Sequence, residues 1–338
     1  MVFDERINML KHKRIIVWGA KLDTGHTHGF IHEACVRASK YMGLETYWLV
    51  NRDNVDNSFF DDAIVITEQW LVFQNGISNN MPINKNATYM VHYLGNRGAV
   101  EGNPGAEMYL GRVRKLIDFR FNAQNGWGIN GVEDKNYAYK FEPEKYAALS
   151  DVSFYETGDD YDKFYTIWAT DLLPNEIRFD DRLSEKRQQA FFCGTIREDN
   201  GPLFEGFIRK CKEYNIPFLY NTPWQNQMPT EQIREFVKTS LLPLDIRPSN
   251  HIANGYIACR PIKNVSYGAL PMTNSPAIND FFQGDCAFAV NSDALFDVAL
   301  EMQKNPRTLD LILHQMNRIK EDHTYINRMT DIIRAAEI

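Results

Sequence analysis

The sequence is short of several features, and each shortage removes a class of protein. No apolar run approaches the roughly 18 residues that a bilayer-spanning helix requires. The first six residues lack the basic-then-apolar layout of a secretory leader. A soluble chain with no transmembrane segment is therefore expected, with a cytoplasmic location. The five cysteines, Cys35, Cys193, Cys211, Cys259 and Cys286, are odd in number, widely spread and contain no C-x-x-C pair. Neither a disulfide framework nor a zinc ribbon is indicated, and reduced interior thiols are expected. Positive charge is scarce, with 37 Lys and Arg against 44 Asp and Glu and a net charge of −7; nucleic acid is not an expected partner. Gly 20 and Pro 14 are too few for a collagenous or low-complexity chain. The G-x-G-x-x-G fingerprint and the Walker A loop are both missing.

What is present points to an α/β chain of two domains. At roughly 100 to 200 residues per domain, 338 residues make two, and 44% hydrophobic with 24% charged residues are globular values. The apolar run at 14–18 reads as a buried strand. Helical spacing follows over 27–42, closed by Gly43, and then a β-branched and aromatic strand at 45–50. Strand, helix, strand in that order is one βαβ unit, whose crossover makes the strands parallel. Further strands are expected at 63–67 and 87–94, a helical stretch at 68–74, and strand candidates at 115–121 and 135–141. The pattern thins near 165–174 and restarts as strand 189–193, helix 202–214, strand 217–220, helix 230–239, strand 241–245, helix 260–267, and strands 270–273 and 285–290. Apolar residues at helical intervals over 308–336 close the chain as one or two helices. The expected division is 1–175, 176–320 and a closing helix at 321–338.

In an open parallel sheet the ligand sits beyond the carboxyl ends of the strands, so the loop after each domain's first strand is the place to look. In the first half this loop holds Asp23, His26 and His28 among Gly19, Gly25 and Gly29. A His or Asp near pH 7 can take the proton of an attacking hydroxyl; equally, Asp23 and Thr27 can cap a helix start and leave the histidines solvated. In the second half the equivalent loop is Gly194, Thr195 and Arg197. There a close backbone, a hydroxyl and a forked cation would suit a diphosphate, against the plainer reading of an ordinary turn with a surface arginine. A third stretch, 250–275, carries His251, Asn254, Arg260, Lys263, Asn264 and Ser275. Arg260 and Lys263, at i and i+3 on a short helix ended by Gly268, can neutralise a leaving pyrophosphate or form surface ion pairs. Asp159-Asp160 and Asp180-Asp181 lie in charged segments and read as solvated; Trp70, Trp127, Trp168 and Trp224 read mainly as core.

The segment Arg260-x-x-Lys263-x-x-x-x-Gly268-Ala-Leu-Pro-Met-Thr273 resembles the Arg-x-Phe-Glu-x-x-Ala-x-Gly element of GT-B glycosyltransferases, the spore-maturation CgeB-like group in particular. His323-Thr324-Tyr325-x-x-Arg328 resembles an element near the C-terminus of the same group. The resemblance spans about residues 185–335, and the first half only by layout. It implies a GT-B fold, two Rossmann-like doubly wound domains facing across a cleft. It also implies a UDP- or GDP-sugar as donor, a glycan or small molecule as acceptor, no cofactor and no required metal. The missing Asp-x-Asp in a suitable loop agrees with the last. One departure matters: the Glu-x7-Glu of retaining members falls here on Gly255 and Lys263. Neither is acidic, which points toward inversion with a base from the 23–28 loop. The expected function is transfer of a sugar from a nucleotide-sugar to an acceptor hydroxyl. The alternatives are a nucleotide-sugar epimerase or hydrolase, and a non-catalytic nucleotide-sugar-binding protein.

Overall fold

Four consecutive buried residues, Ile15–Trp18, form β1, and strands on both sides explain why all four are apolar. β1 pairs in parallel with β2 (Thr46–Leu49) and β3 (Ile64–Glu68). The sheet continues through β4 (Thr88–His92) and β5 (Lys115–Asp118) to β7 (Asp162–Tyr165) and β6 (Ser153–Glu156), in the order β2-β1-β3-β4-β5-β7-β6. All pairings are parallel except the hairpin β6–β7. The computed structural model describes residues 13–22, 27–50, 52–68, 81–82, 84, 86–92, 115–118, 153–156, 162–165, 167–181, 186–196, 200–222, 225, 228–253 and 255–337. The expected helix at 68–74, beyond residue 68, and the strand at 135–141 lie outside them, as do Trp70, Trp127, Trp224 and Asp159-Asp160.

These residues divide into two compact units, 1–167 with 325–338, and 168–324. In unit 1, α1 (Thr27–Tyr41) buries Ala34, Cys35 and Ala38, and Gly43 takes the left-handed φ of 79° that ends the helix. Gly19 and Gly29 sit against close neighbours. A Cβ on Gly19 would sit 2.1 Å from His32 Cε1, and one on Gly29 would sit 3.0 Å from the Lys21 carbonyl oxygen. The final helix, α9 (Tyr325–Glu337), belongs to unit 1 and packs on α1 and β4, with Met329, Ile332 and Ile333 buried.

Unit 2 repeats the α/β plan. β8 (Gln189–Cys193) lies between β9 (Phe218–Asn221) and β10 (Ser240–Pro243), all parallel. α2 (Gly201–Glu213) leads from β8 to β9, and α3 (Thr230–Lys238) from β9 to β10. Then come α4 (Ser249–Ala253), α5 (Cys259–Ser266), β11 (Met272–Thr273), α6 (Pro276–Phe281) and β12 (Ala287–Phe288). β11 and β12 pair in parallel, and α7 (Ser292–Lys304) and α8 (Thr308–Asp322) complete the unit. Its core is aromatic. Phe192 meets Phe204 at 4.5 Å between ring centroids, and Phe207 meets Phe296 at 5.4 Å where α2 packs on α7. Edge-to-face contacts of this kind add to the area that the rings bury.

The α/β class with parallel sheets in each half is as expected, and the closing helical stretch resolves into two helices, α8 and α9. The break falls at His323-Thr324, where Thr324 bridges Thr170 and Thr170 N donates to the His323 carbonyl at 3.1 Å. Among the described residues, no helix is long and apolar enough to cross a membrane.

Candidate functional site

The chain leaves β8 toward β9 on one side and returns to β10 on the other, so unit 2 has a topological switch point between β8 and β10. Loops leaving the carboxyl ends of two such strands diverge and leave room for a ligand. Here those loops begin with Gly194 and with Leu244-Asp245.

Arg260 fills the position next to both. It sits in the first turn of α5, where Pro261 is tolerated because the amide it lacks would have no helical partner. Pro261, Ile262 and Val265 bury the inner face of that helix, which fixes where the polar side chains emerge. Arg260 Nε donates to the Cys193 carbonyl at 2.7 Å, and Nη1 donates to Asp245 Oδ1 at 3.1 Å. The guanidinium lies 4.3 Å from the centre of the Phe192 ring. Gly194 makes this possible, since a Cβ there would lie 2.2 Å from Arg260 Nη2.

Asp245 is the hub. It accepts from Arg247 Nε at 2.9 Å, from Arg247 Nη2, and from the Thr273 hydroxyl at 3.0 Å. Asn274, just past β11, clamps the Arg247 backbone, accepting from its N–H at 2.7 Å and donating to its carbonyl at 3.1 Å. Ser275 N donates to Thr273 Oγ1 at 3.2 Å, and the Ser275 hydroxyl is buried with no hydrogen-bond partner among the described residues. Burial and the neighbouring Arg247 both lower the pKa of Arg260, with Asp245 opposing them.

Lys263, one turn along α5, enters a second network. Its Nζ lies 3.7 Å from Asp171 Oδ1. Asp171 Oδ2 accepts from Arg234 Nη2 at 2.8 Å, and Oδ1 accepts the Tyr267 phenol. Burial alone would raise the Asp171 carboxyl, but Lys263 and Arg234 outweigh it and bring the pKa to about 2. Burial and the same carboxylate hold the Tyr267 phenol far above its ordinary value, so it stays a donor. Arg260 and Lys263 thus share one helix but serve different carboxylates. Both still act on the Cys193 thiol, whose pKa burial raises and these two cations lower.

No family model and no curated protein matches the chain. Solved structures do. An S. aureus MnaA–UDP co-structure is 10% identical over 96% of this chain and 94% of that one, with a TM-score of 0.46. An alpha-glucosyltransferase (AGT) in complex with UDP is 10% identical over 92% and 96%, with a TM-score of 0.48. A 2.2 Å structure of a putative UDP-N-acetylglucosamine 2-epimerase from Listeria monocytogenes is 11% identical over 95% and 96%, with a TM-score of 0.46.

Of the other residues expected at the site, Thr195 follows Gly194 and is half-buried. Asn264 is buried and donates to the Pro243 carbonyl at 3.4 Å, which ties α5 to β10. His251, on α4, packs its ring 4.9 Å from Tyr256, whose hydroxyl accepts from Trp168 Nε1 at 2.8 Å. Arg197 and Asn254 lie outside the described residues, as do Asp23 and His26 of unit 1. His28, on α1, has its ring 6.4 Å from that of His32, and His32 Nδ1 lies 3.0 Å from the Ala20 carbonyl oxygen. Among the described residues, no group of three or more His, Cys, Asp or Glu could hold a metal ion.

Sequence reasoning missed Asp245, Arg247, Asp171, Arg234 and Tyr267. For Asp245 a signal exists: an acidic residue ending an apolar strand, with an arginine two positions on. For Asp171, in Trp168-Ala-Thr-Asp171, no local pattern exists.

Proposed function

We propose that this chain is a GT-B-type glycosyltransferase that moves a sugar from a nucleotide-sugar to an acceptor hydroxyl. Unit 2 takes the donor's diphosphate beside Gly194, Thr195 and Arg260, and no metal or other cofactor is needed. The base that accepts the acceptor's proton belongs to Asp23, His26 or His28 of unit 1. Without an acidic residue at 255 or 263, transfer goes with inversion.

One observation carries the reading: in the Asp245 network the carboxylate lies innermost and a cation outermost. Side-chain exposure rises from Asp245 (0%) through Arg247 (5%) to Arg260 (21%). Asp171 (8%), Arg234 (13%) and Lys263 (20%) rise in the same order, but Arg234 also donates to the exposed Glu231 carboxylate, so that network presents both signs to solvent. An anion arriving from solvent at the Asp245 network meets the Arg260 guanidinium before the carboxylate. When the sugar–phosphate bond breaks, negative charge grows on the departing diphosphate, and fixed, partly desolvated cations stabilise it without reorganising. Arg260 suits this task because the Cys193 carbonyl, Asp245 and the Phe192 ring have already set its orientation.

Titration of UDP, GDP and their sugars into the chain in the presence of a chelator tests the proposal. A rise in melting temperature that Arg260→Ala removes is the expected result. No shift with any of these ligands would overturn it. Sugar release or epimerisation with no acceptor present would select the hydrolase or epimerase alternative.

A further inference from the structure

We propose that Arg247 is a positioning residue for this site: it takes up the charge of Asp245, so that the same carboxylate can orient Arg260 without neutralising it. The inference rests on the diphosphate reading above and concerns the source of the positive charge that meets the anion.

Three charged side chains meet at the carboxyl ends of β8 and β10, and they do not cancel. Asp245 is one anion against two cations, Arg247 and Arg260, so one positive charge is left over. The geometry decides which arginine keeps it. Arg247 grips both oxygens of the carboxylate, with Nε donating to Oδ2 at 2.9 Å and Nη2 donating to Oδ1. Such a fork is the strongest pairing that a guanidinium and a carboxylate make. Arg260 reaches Oδ1 alone, through Nη1 at 3.1 Å, and its Nε bond at 2.7 Å goes to the uncharged Cys193 carbonyl. The charge of Asp245 is therefore met mainly by Arg247, and Arg260 takes its orientation from the same group by a single contact.

Arg247 is placed to do this and nothing else. Its side chain is 5% exposed, Asn274 holds its backbone through both N–H and carbonyl, and the Thr273 hydroxyl takes a further place on Asp245 Oδ2 at 3.0 Å. Arg260 is 21% exposed, and its Nη2 lies over Gly194 with no acceptor among the described residues. The two guanidiniums also feel each other across the carboxylate they share: burial and then Arg247 lower the Arg260 pKa, and Asp245 opposes them.

The arrangement has a consequence for affinity. With the Arg247 charge removed, Asp245 and Arg260 form a neutral pair, and an anion at Nη2 meets a buried carboxylate that only Arg260 offsets. Affinity should fall although no group that touches the anion has changed. With the Asp245 charge removed as well, Arg260 is again an uncompensated cation, and affinity should return. A merely structural role requires the reverse, because the second substitution takes away more of the network that holds Arg260.

The test is calorimetric titration of inorganic pyrophosphate into the full chain, as wild type, Arg247→Met, Arg247→Lys and the double variant Asp245→Asn with Arg247→Met, with circular dichroism to confirm folding. The expected results are binding by the wild type, a loss of roughly tenfold or more in Arg247→Met, a loss of at most about threefold in Arg247→Lys, and a return to within about threefold of wild type in the double variant. Should Arg247→Met fail to fold, the double variant decides alone, since replacing both members of a buried ion pair leaves neither charge stranded; a loss there of more than about threefold overturns the proposal. Unchanged binding in Arg247→Met, a double variant as weak as Arg247→Met, or an Arg247→Lys as weak as Arg247→Met overturns the positioning role and leaves the diphosphate reading standing. No pyrophosphate binding by the wild type removes both proposals.

Discussion

Replacing Gly194 by alanine would place a methyl carbon 2.2 Å from Arg260 Nη2, 3.0 Å from Arg260 Cζ and 3.0 Å from Phe192 Cζ. One of these groups must move, and the guanidinium is the free end of a flexible side chain. Its displacement is not cheap, because it would break the Nη1 bond to Asp245 and strain the Nε bond to the Cys193 carbonyl. Hydrogen bonds to charged groups are worth about 1.5–3 kcal/mol each, and water can replace part of that at a side chain one-fifth exposed. A net cost of about 2–3 kcal/mol follows, which for a unit of this size lowers the melting temperature by roughly 4–12 °C. Urea denaturation of Gly194→Ala, Arg260→Ala and the double variant gives the assay. If the clash with the guanidinium is the main cause, Gly194→Ala should cost clearly less once Arg260 is gone, leaving only what the φ of 157° and the 3.0 Å approach to Phe192 Cζ cost, a coupling of the size seen for residues in contact. Affinity for a nucleoside diphosphate should fall with the single change. An equal cost in both backgrounds would refute the reasoning, because the penalty would then lie in the backbone or at Phe192.

Three further expectations concern the same unit. Asp245→Asn leaves Arg247 and Arg260 without the charge they share in a fully buried position; it should destabilise by about 3–5 kcal/mol in urea, and a cost below about 1 kcal/mol would mean that water reaches the pair. The Asp171 carboxyl, held at about 2 against an ordinary 3.8, contributes stability that is complete above that ordinary value and is lost as pH falls through about 2. The contribution is on the order of 2 kcal/mol, and acid titration of Asp171→Asn should lack that step. Burial raises the Cys211 thiol to about 12 and raises Cys286 as well, so maleimide at pH 8 should label both far more slowly in the native chain than in denaturant, read by mass spectrometry; equal rates at Cys211 would show that the inner face of α2 opens readily.

The elements visible in the sequence were those whose own residues carried the signal. β1 is wholly apolar and β8 is apolar or aromatic after Gln189, and they are buried because strands flank them on both sides. α1 and α5 show helical spacing closed by Gly43 and Gly268, and both glycines have the positive φ that such a stop needs. The hairpin β6–β7 escaped because Ser-Phe-Tyr-Glu and Asp-Lys-Phe-Tyr are short and mix charge with aromatics, so their strand character comes from pairing with each other and with β5. α7 escaped although its signal was present: Asn291 caps it by accepting from Asp293 N and Ala294 N, and Leu295, Phe296 and Ala299 form its buried face.

The site divides along the same line. A glycine after an apolar strand, and an arginine with a lysine at i+3 before another glycine, are local patterns, and the structure brings Gly194 and Arg260 together. The carboxylates that hold the cations are not local. Asp245 reaches Arg260 across 15 residues, and Asp171 meets Arg234 and Tyr267 across 63 and 96. No periodicity links such positions, because they become neighbours only when the parallel strands have been laid side by side. A sequence therefore shows which cations a site has long before it shows what restrains them. The distinction has chemical weight here, since what fixes the Arg260 guanidinium is a carbonyl 67 residues away and a carboxylate 15 residues away, at 2.7 and 3.1 Å.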